Sequence, residues 1–215
     1  MSSMRIPEFW LACVIKPSVF LASLLPLAWL AWGWSTDGLG ANPIEATTRF
    51  LGDWALRFLL IALAVTPVRM LTAWNCLARF RRMLGLFAFA YAVLHLLSYI
   101  GLDQFFAWAT IWAEIVKRTY ITIGMLAVLC LIPLALTSTK GMVRRLGGKR
   151  WQKLHRLAYV AGVAGVIHFY MMVKADVREP LIYGAILTAL FSIRLWNGRT
   201  RQVARPSVAR KAKRA

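Results

Sequence analysis

The sequence predicts an all-α integral membrane protein that folds as a bundle of six transmembrane helices. Of its 215 residues, 60% are hydrophobic and only 16% are charged, which is less charge than a soluble domain of this size usually carries. Apolar stretches of about 18 residues, the length that crosses a bilayer as a helix, recur along the chain. The ten tryptophans are also typical of a membrane protein, because the indole ring favours the bilayer interface.

Six stretches are predicted to be spans. A short basic lead, 1–16, precedes them, and they form one membrane domain over 17–196 that is followed by a basic, polar tail, 197–215, predicted to be disordered. The first span could be a signal peptide, but its bulky end offers no small-residue cleavage site, so we expect it to remain uncleaved. The predicted spans are residues 17–34, 54–70, 83–101, 119–137, 154–173 and 181–196.

The connections between the spans are predicted to be loops or interfacial segments. Residues 35–52 are rich in Gly, Asn, Thr and acidic groups, whereas residues 71–82 and 138–153 are basic. Residues 102–118 are semi-polar, and the apolar piece 105–111 within them is too short to cross a bilayer. We expect that piece to lie at the membrane interface.

The net charge of +19 could indicate a nucleic-acid partner, but the basic residues fall in predicted loops and in the tail, so membrane topology explains them better. With six spans both termini lie on one side, and all but six of the 27 Lys and Arg residues are placed there. The positive-inside rule then puts both termini in the cytoplasm. The six exceptions are Arg49, Arg57, Lys117, Arg118, Lys174 and Arg178.

The chain has three histidines, and all three fall on predicted spans. His95 lies on the third span, and His155 and His168 lie on the fifth. Ionisable side chains at membrane depth are rare and usually functional. Both spans enter the membrane from the cytoplasm. At a rise of 1.5 Å per residue, His95 and His168 each lie about 20 Å from the cytoplasmic end of their helix. These two share an outer layer, and His155 lies alone in an inner one.

Two imidazoles that face each other at one depth predict axial ligands of a haem iron. Zinc is disfavoured, because no Cys, Asp or Glu is placed to complete a tetrahedral set. A proton relay usually includes carboxylates, which the spans almost lack, and a hydrogen-bonded core role is common for a single intramembrane histidine. Cys13, Cys76 and Cys130 form no disulfide framework and no CxxC motif.

The spacing on the fifth span leaves one question open. Thirteen residues of ideal helix turn His155 and His168 about 140° apart. Either the helix is bent or rewound near its glycines, or the two histidines address ligands on different faces. We expect the small residues of this span to let a flat macrocycle approach the backbone. They are Ala161, Gly162, Ala164 and Gly165.

An intramembrane haem without oxygen-activating residues indicates electron transfer across the bilayer. The tail is too short for a flavin or nicotinamide domain, and the chain has no GxGxxG after a strand and no P-loop. We therefore expect a separate donor, either a membrane quinol or a cytoplasmic flavoprotein. No loop carries an evident catalytic constellation, so we predict no catalytic residues in this chain and place the final acceptor on a partner.

Several ordered motifs agree with a known family. They are Leu39-Gly-Ala-Asn-Pro43, Arg81-Arg-Met-Leu-Gly85, Leu94-His95-Leu-Leu-Ser-Tyr99, Thr119-Tyr-Ile-Thr-Ile-Gly124, Ala135-Leu-Thr-Ser-Thr139, Gly148-Lys-Arg-Trp-Gln-Lys-Leu-His155-Arg-Leu and Ile167-His168-Phe-Tyr170. Over about residues 20–195 the chain resembles the ferric-reductase-like transmembrane family. Within it, the chain is most similar to the haem-binding membrane subunits of bacterial methionine sulfoxide reductase systems.

The resemblance implies a function as well as a fold. It implies haem b, one or two per chain, and FMN in addition, although the sequence shows no FMN fingerprint. It implies a bacterial inner-membrane protein that passes electrons from the quinone pool to a periplasmic molybdopterin enzyme, which reduces methionine sulfoxide in oxidised proteins. The basic loop Lys140–Arg150 could hold a phosphate, but topology explains its charge more simply. Residues 35–52 and 102–118 are the expected docking surfaces for a periplasmic partner.

The wider family places two histidines on each of two helices, thirteen or fourteen residues apart, for two stacked haems. His155 and His168 match one helix, and His95 matches one position of the other. Arg81 stands fourteen residues before His95, where a fourth histidine is expected. Arg81 could pair with a haem propionate, ligate iron directly, which a protonated guanidinium does poorly, or serve topology alone.

Two other functions stay open at this point. The first alternative is a transmembrane ferric or metal reductase that acts directly at the outer face. The second is a transporter or assembly anchor in which the histidines are structural.

Overall fold

The computed structural model describes residues 10–173 and 175–212, with most side chains described as far as residue 197, and in these residues the regular secondary structure is all helical. Most of the predicted lead, residue 174 and the end of the tail lie outside this description. Short π-helical or 3₁₀ turns adjoin α1, α2 and α3. The α-helices are α1 (Lys16–Ser35), α2 (Pro43–Thr72), α3 (Arg81–Ser98), α4 (Trp108–Lys117), α5 (Thr119–Leu136), α6 (Lys140–Leu146), α7 (Gly148–Leu154), α8 (Leu157–Met172) and α9 (Arg178–Ala212).

Four helical segments of the described chain are long and apolar enough to cross a bilayer. They are Cys13–Ser35, Pro43–Thr72, Arg81–Asp103 and Thr119–Leu136. They contain the first three predicted spans and all but the last residue of the fourth. The fifth predicted span corresponds to α8, which has 16 residues and is about 24 Å long. The sixth lies within α9. The all-α class is therefore confirmed, and the count of six spans stays a prediction.

The predicted loop over 35–52 is wrong in its second half, because α2 begins at Pro43. Asn42 caps this helix, since its side-chain oxygen accepts a hydrogen bond from the Glu45 N–H at 3.2 Å. Proline suits the first helical position, where no N–H is needed. The loop's polar composition concealed a helix start, and α2 extends outward by about three turns beyond its predicted span.

The predicted basic loop, 138–153, is also wrong, because it folds into α6 and α7. Thr139 caps α6 by accepting a hydrogen bond from the Met142 N–H at 3.1 Å. Gly147, whose φ of 74° suits glycine, separates the two helices. α8 then starts at Leu157, three residues later than predicted.

The tail differs from its prediction as well. α9 continues to Ala212, whereas residues 197–215 were expected to be disordered. Alanine and arginine, which are frequent there, are good helix formers. Basic composition therefore does not prevent this segment from extending the last helix.

The apolar piece 105–111 does not form a span, as predicted. It leads into α4, a helix of 10 residues on which Trp108, Trp112 and Val116 are 64%, 69% and 70% exposed. Positions four apart share one helix face. An amphipathic helix with an exposed aromatic face is typical of a segment that lies along a bilayer interface.

Two helix pairs position the histidines. α2 packs extensively against α3, and α5 packs extensively against α8. α3 also contacts α5, and α2 contacts α8, so the two pairs meet side by side. Tyr91 of α3 is fully buried in the core, where its hydroxyl donates to the Ser23 carbonyl of α1 at 2.8 Å. This arrangement directs His95 on α3 and His168 on α8 toward each other.

Candidate functional site

His95 and His168 come together in the structure. Their ring centroids lie 6.2 Å apart, and the two ring planes are inclined at 74°. The sequence predicted that these two rings would meet at one depth, and that prediction is confirmed. Whether they bind iron is a separate question, which depends on which ring nitrogens are free.

His95 is held by the backbone of α2. Its Nδ1 lies 2.8 Å from the Thr48 carbonyl oxygen, so Nδ1 carries the proton and donates. The ring also lies against Gly52, where a Cβ would be only 3.1 Å from Nδ1 and Cε1. Ser98 steadies the same corner, since its hydroxyl donates to the Thr48 hydroxyl at 3.0 Å. The proton on Nδ1 leaves Nε2 of His95 as a free lone pair.

His168 is held in the same way by α5. Its Nδ1 lies 2.7 Å from the Tyr120 carbonyl oxygen, so this ring is also protonated on Nδ1. It lies against Gly124, where a Cβ would be 2.9 Å from Nδ1. The Nε2 atom of His168 is therefore also free to bind a metal.

His95 and His168 are held by the same local arrangement of a helix carbonyl and a glycine. Each imidazole donates to a helix carbonyl, and a glycine follows that carbonyl four residues later. In an α-helix the carbonyl at position i already bonds the N–H at i+4, so the imidazole must approach where residue i+4 has its side chain. Glycine at that position leaves the approach open.

Sequence analysis missed these supporting residues. Two of them are backbone acceptors, which a side-chain pattern does not reveal. The available signal was a glycine four residues after a polar or aromatic position on helices that face the histidines. The missed residues are Thr48, Gly52, Tyr120 and Gly124.

The pair fits an iron with two axial imidazoles. Bonds from a first-row metal to imidazole nitrogen are about 2 Å long, so two rings on one metal have centroids about 6 Å apart, close to the 6.2 Å observed. Hydrogen bonds from Nδ1 to carbonyls are the usual outer partners of metal-bound histidine. In the described part of the chain no three His, Cys, Asp or Glu side chains cluster as a metal site. Two protein ligands suit a haem iron, because the porphyrin supplies the other four nitrogens.

His155 has different surroundings. It follows α7 and precedes α8, and its ring stacks on Trp151 with centroids 3.8 Å apart. Its Nε2 lies 3.3 Å from the Thr137 hydroxyl oxygen. That hydroxyl has one proton, which it donates to the Pro133 carbonyl at 2.6 Å. His155 must therefore donate from Nε2, the nitrogen that the outer histidines keep free.

Positive charge surrounds His155. The guanidiniums of Arg81 and Arg82 both lie close enough to act electrostatically on the His155 ring. Arg81 itself donates to the Thr66 hydroxyl at 3.3 Å. The structure thus places Arg81 near His155, and its role toward a haem stays a prediction.

Arg194 of α9 belongs to the same inner region. Its guanidinium donates to the Tyr159 hydroxyl and to the Leu63 carbonyl, and it lies over the Tyr159 ring, 5.0 Å from the ring centroid. Sequence analysis counted Arg194 only as a cytoplasmic charge. An arginine turned into the bundle has no signature in sequence that distinguishes it from one turned outward.

His155 and His168 do not lie on one continuous helix, so the ideal angle of about 140° between them does not apply. The break lies at His155 and Arg156, between α7 and α8, and not near the glycines. Both histidines contact α5, His155 through Thr137 at its end and His168 through Tyr120 near its start. The two side chains therefore address the same neighbouring helix at two depths.

The two glycines of α8 pack against leucines of the neighbouring helices. A Cβ on Gly162 would lie 3.3 Å from Leu63 and 3.4 Å from Leu187, and a Cβ on Gly165 would lie 3.3 Å from Leu56. These glycines therefore allow close helix packing with α2 and α9. The expectation that the small residues of α8 let a macrocycle approach the backbone stays a prediction.

Known proteins are similar to this chain over most of its length. Residues 51–167 match the family described as the ferric reductase like transmembrane component. The chain is 64% identical over 178 residues to a protein from Rhodospirillum rubrum, covering 83% of this chain and 86% of the relative. That relative is named protein-methionine-sulfoxide reductase heme-binding subunit MsrQ. The chain belongs to the MsrQ family.

Other MsrQ proteins are also similar. The MsrQ of Caulobacter vibrioides is 54% identical over 181 residues, covering 84% of this chain and 86% of the relative. That of Herminiimonas arsenicoxydans is 51% identical over 185 residues, covering 85% of each. Together with the apolar helices, membership of a transmembrane family identifies an integral membrane protein. The family match includes His95 and His155 and ends one residue before His168.

Proposed function

We propose that this chain is the haem-binding electron-transfer subunit of a methionine sulfoxide reductase system. The observation that carries the proposal is the His95–His168 pair, 6.2 Å apart, with both Nδ1 protons given to helix carbonyls and both Nε2 atoms free. The MsrQ relatives are named as heme-binding subunits of such a reductase, which supports the assignment.

In this proposal His95 and His168 are the axial ligands of one haem b, which supplies one-electron exchange between ferric and ferrous iron. The Thr48 and Tyr120 carbonyls fix the imidazole tautomers and ring orientation. Gly52 and Gly124 allow both rings to approach their helices.

A second, inner haem would use His155. No other histidine is left to oppose it, since the chain has three and two of them form the outer pair. Its Nε2 would first have to leave the Thr137 hydroxyl. We therefore propose a bis-histidine outer site and an inner site with one histidine and a weak or missing second ligand, with Arg81 nearby as a partner for a propionate.

The proposed orientation follows from charge. Six spans in the bacterial inner membrane, with both termini in the cytoplasm, place the His95–His168 pair in the outer half of the bilayer. An outer haem would be close to a periplasmic acceptor, which the family resemblance gives as a molybdopterin enzyme that repairs oxidised methionine. The donor is a quinol or a cytoplasmic flavoprotein. An FMN, implied by the family alone, has no residue assigned to it.

The test is haem quantification and absorption spectroscopy of the purified protein, oxidised and reduced. We expect a Soret band in the wild type and loss of the bis-histidine spectrum in both His95→Ala and His168→Ala. We expect His155→Ala to retain that spectrum. Absence of a Soret band after haem-replete expression would refute the proposal. If the reduced protein is oxidised rapidly by a soluble ferric chelate but not by the periplasmic reductase, it is a metal reductase instead.

A further inference from the structure

The connection from α5 to α8, which consists mainly of α6 and α7, carries positive charge without any acidic residue. Residues 115–175 contain no Asp or Glu, and neither do residues 54–102, which include the other basic connection. At the opposite end of the bundle, by contrast, Arg49, Arg118 and Arg178 each form a salt bridge with a neighbouring carboxylate. No carboxylate of these two stretches is thus available to balance the charge of α6 and α7.

The basic side chains of α6 and α7 lie on the exposed faces of the two helices. At 100° per residue, the apolar positions of each helix fall within about a third of its circumference, so both helices are amphipathic. Trp151 fixes the direction in which α7 faces, because its Nε1 donates to the Thr137 carbonyl at 3.0 Å. The half-buried apolar residues are Met142, Val143, Leu146, Trp151 and Leu154. The exposed basic residues are Lys140, Arg144, Arg145, Lys149, Arg150 and Lys153.

The two short helices lie close to the membrane surface. Leu136 is the last residue of α5, a helix long and apolar enough to cross a bilayer, and its side chain is 70% exposed. An exposed leucine on a spanning helix faces the acyl chains. From Leu136 to Lys140 the backbone spans at most about 14 Å, and long basic side chains extend toward the interface while their stems cover apolar surface. The charges of α6 and α7 therefore lie within reach of the lipid head groups.

We infer that the exposed basic face of α6 and α7 binds the head groups of anionic phospholipids. A cluster of about four to eight Lys or Arg residues directly beyond a membrane span is typical of such binding. The positive-inside rule predicts on which side of the membrane these residues lie, whereas this inference identifies the group that neutralises them. Because α6 and α7 connect Thr137 to His155, bound lipid also holds the segment that carries the inner histidine. The inference requires no haem.

The experiment compares an anionic and a zwitterionic lipid on the purified protein in detergent. Dioleoylphosphatidylglycerol or dioleoylphosphatidylcholine is titrated, and native mass spectrometry counts the lipids that each protein retains. The test variant replaces the three cations of α7 by glutamine, which is also a good helix former. It carries Lys149→Gln, Arg150→Gln and Lys153→Gln. The control variant loses the same net charge from segments at the opposite end of the bundle. It carries Arg49→Gln, Lys117→Gln and Arg178→Gln.

We expect the wild type to bind phosphatidylglycerol at least 10-fold more tightly than phosphatidylcholine. Each Lys or Arg near a membrane surface is worth about 5-fold in affinity for anionic lipid. The α7 variant should therefore bind phosphatidylglycerol at least 10-fold more weakly than wild type, and the control variant should bind it as wild type does. Equal binding of the two lipids by the wild type would overturn the inference and leave the basic face to water or to an acidic protein. Equal weakening in both variants would also overturn it, because net charge alone would then explain the binding.

A second measurement uses the wild type alone, so it does not depend on how the variants fold. Amide hydrogen exchange is followed in nanodiscs of phosphatidylcholine with and without phosphatidylglycerol. We expect phosphatidylglycerol to slow exchange over residues 140–154 at least 3-fold and to leave α4 unchanged. Unchanged exchange over residues 140–154 would overturn the inference. A protein with a Soret band but no lipid preference would keep the proposed function, whereas a colourless protein with the preference would refute that function and keep the lipid surface.

Discussion

The outer and inner histidines differ in how each imidazole is presented. At the outer level, His95 and His168 both donate from Nδ1 to a helix carbonyl, and both keep Nε2 free. At the inner level, Nε2 of His155 lies against the Thr137 hydroxyl, and its neighbours are arginines. The outer level has two imidazoles with matching hydrogen bonds, whereas the inner level has one histidine whose Nε2 is engaged in a hydrogen bond.

The comparison shows that having a histidine on a span does not by itself make a ligand. The neighbouring helix determines which ring nitrogen carries the proton. A backbone carbonyl of that helix accepts the Nδ1 proton, and a glycine four residues later leaves room for the ring. No such carbonyl and glycine hold His155 among the described residues, and its Nε2 is instead engaged with the Thr137 hydroxyl. The difference between the two levels can be tested by substitutions at the outer level and by substitutions at the inner level.

The largest loss of haem affinity is expected when the glycine beside an outer histidine is replaced. In Gly124→Ala the new Cβ would lie 2.9 Å from His168 Nδ1, so the ring must move and lose its bond to Tyr120. Outer-partner losses typically cost 10–100-fold in metal affinity, and we expect roughly that loss in haem affinity. Gly52→Ala should be milder, because its contact with His95 is 3.1 Å.

The control for these glycine variants is Gly85→Ala, where a Cβ meets no atom within 4 Å. Haem titration of the purified proteins measures all three variants. Wild-type haem affinity in Gly124→Ala would show that the glycine is not needed to present His168.

A gain is expected when the inner level is given a second histidine. Arg81→His places an imidazole fourteen residues before His95, on the side of α3 from which Arg81 acts on His155. We expect haem content to rise by up to one per chain, and the added haem to have a bis-histidine spectrum. Arg82→His, which also lies near His155, should gain less haem, because residue 82 is turned about 100° further around α3. Unchanged haem content in Arg81→His would argue against an inner site between α3 and His155.

The smallest effect is expected from Thr137→Val. The substitution removes the acceptor of His155 Nε2 and the donor to Pro133, and a typical hydrogen bond contributes about 1 kcal/mol to stability. We expect the free energy of unfolding in detergent to fall by about 1–2 kcal/mol, with no change in the outer-haem spectrum. Thr188→Val is the control, because its exposed hydroxyl bonds only to Gly184. A changed outer spectrum in Thr137→Val would show that the two levels are coupled.

Much of this architecture follows from sequence. Apolar length located the four helices long enough to cross a bilayer, α1, α2, α3 and α5. Counting residues from the inner ends of the third and fifth predicted spans paired His95 with His168. The supporting device did not follow, because Thr48 and Tyr120 act through carbonyls that every residue carries. The tautomer of His155 was equally hidden, since it depends on the proton of the Thr137 hydroxyl. The start of α2 was missed although Asn42 and Pro43 are common at helix starts, because the surrounding composition resembled a loop.

The histidine pair also has a consequence for how the protein matures. His95 belongs to the half of the bundle built from α2 and α3, and His168 belongs to the half built from α5 and α8. The haem proposed to bind between them would clamp the two halves, so it could be captured only after both have entered the bilayer and docked. Because a ligand that binds only the folded form stabilises that form, haem insertion would act as the closing step of assembly, and nascent chains that fail to dock would remain colourless and short-lived.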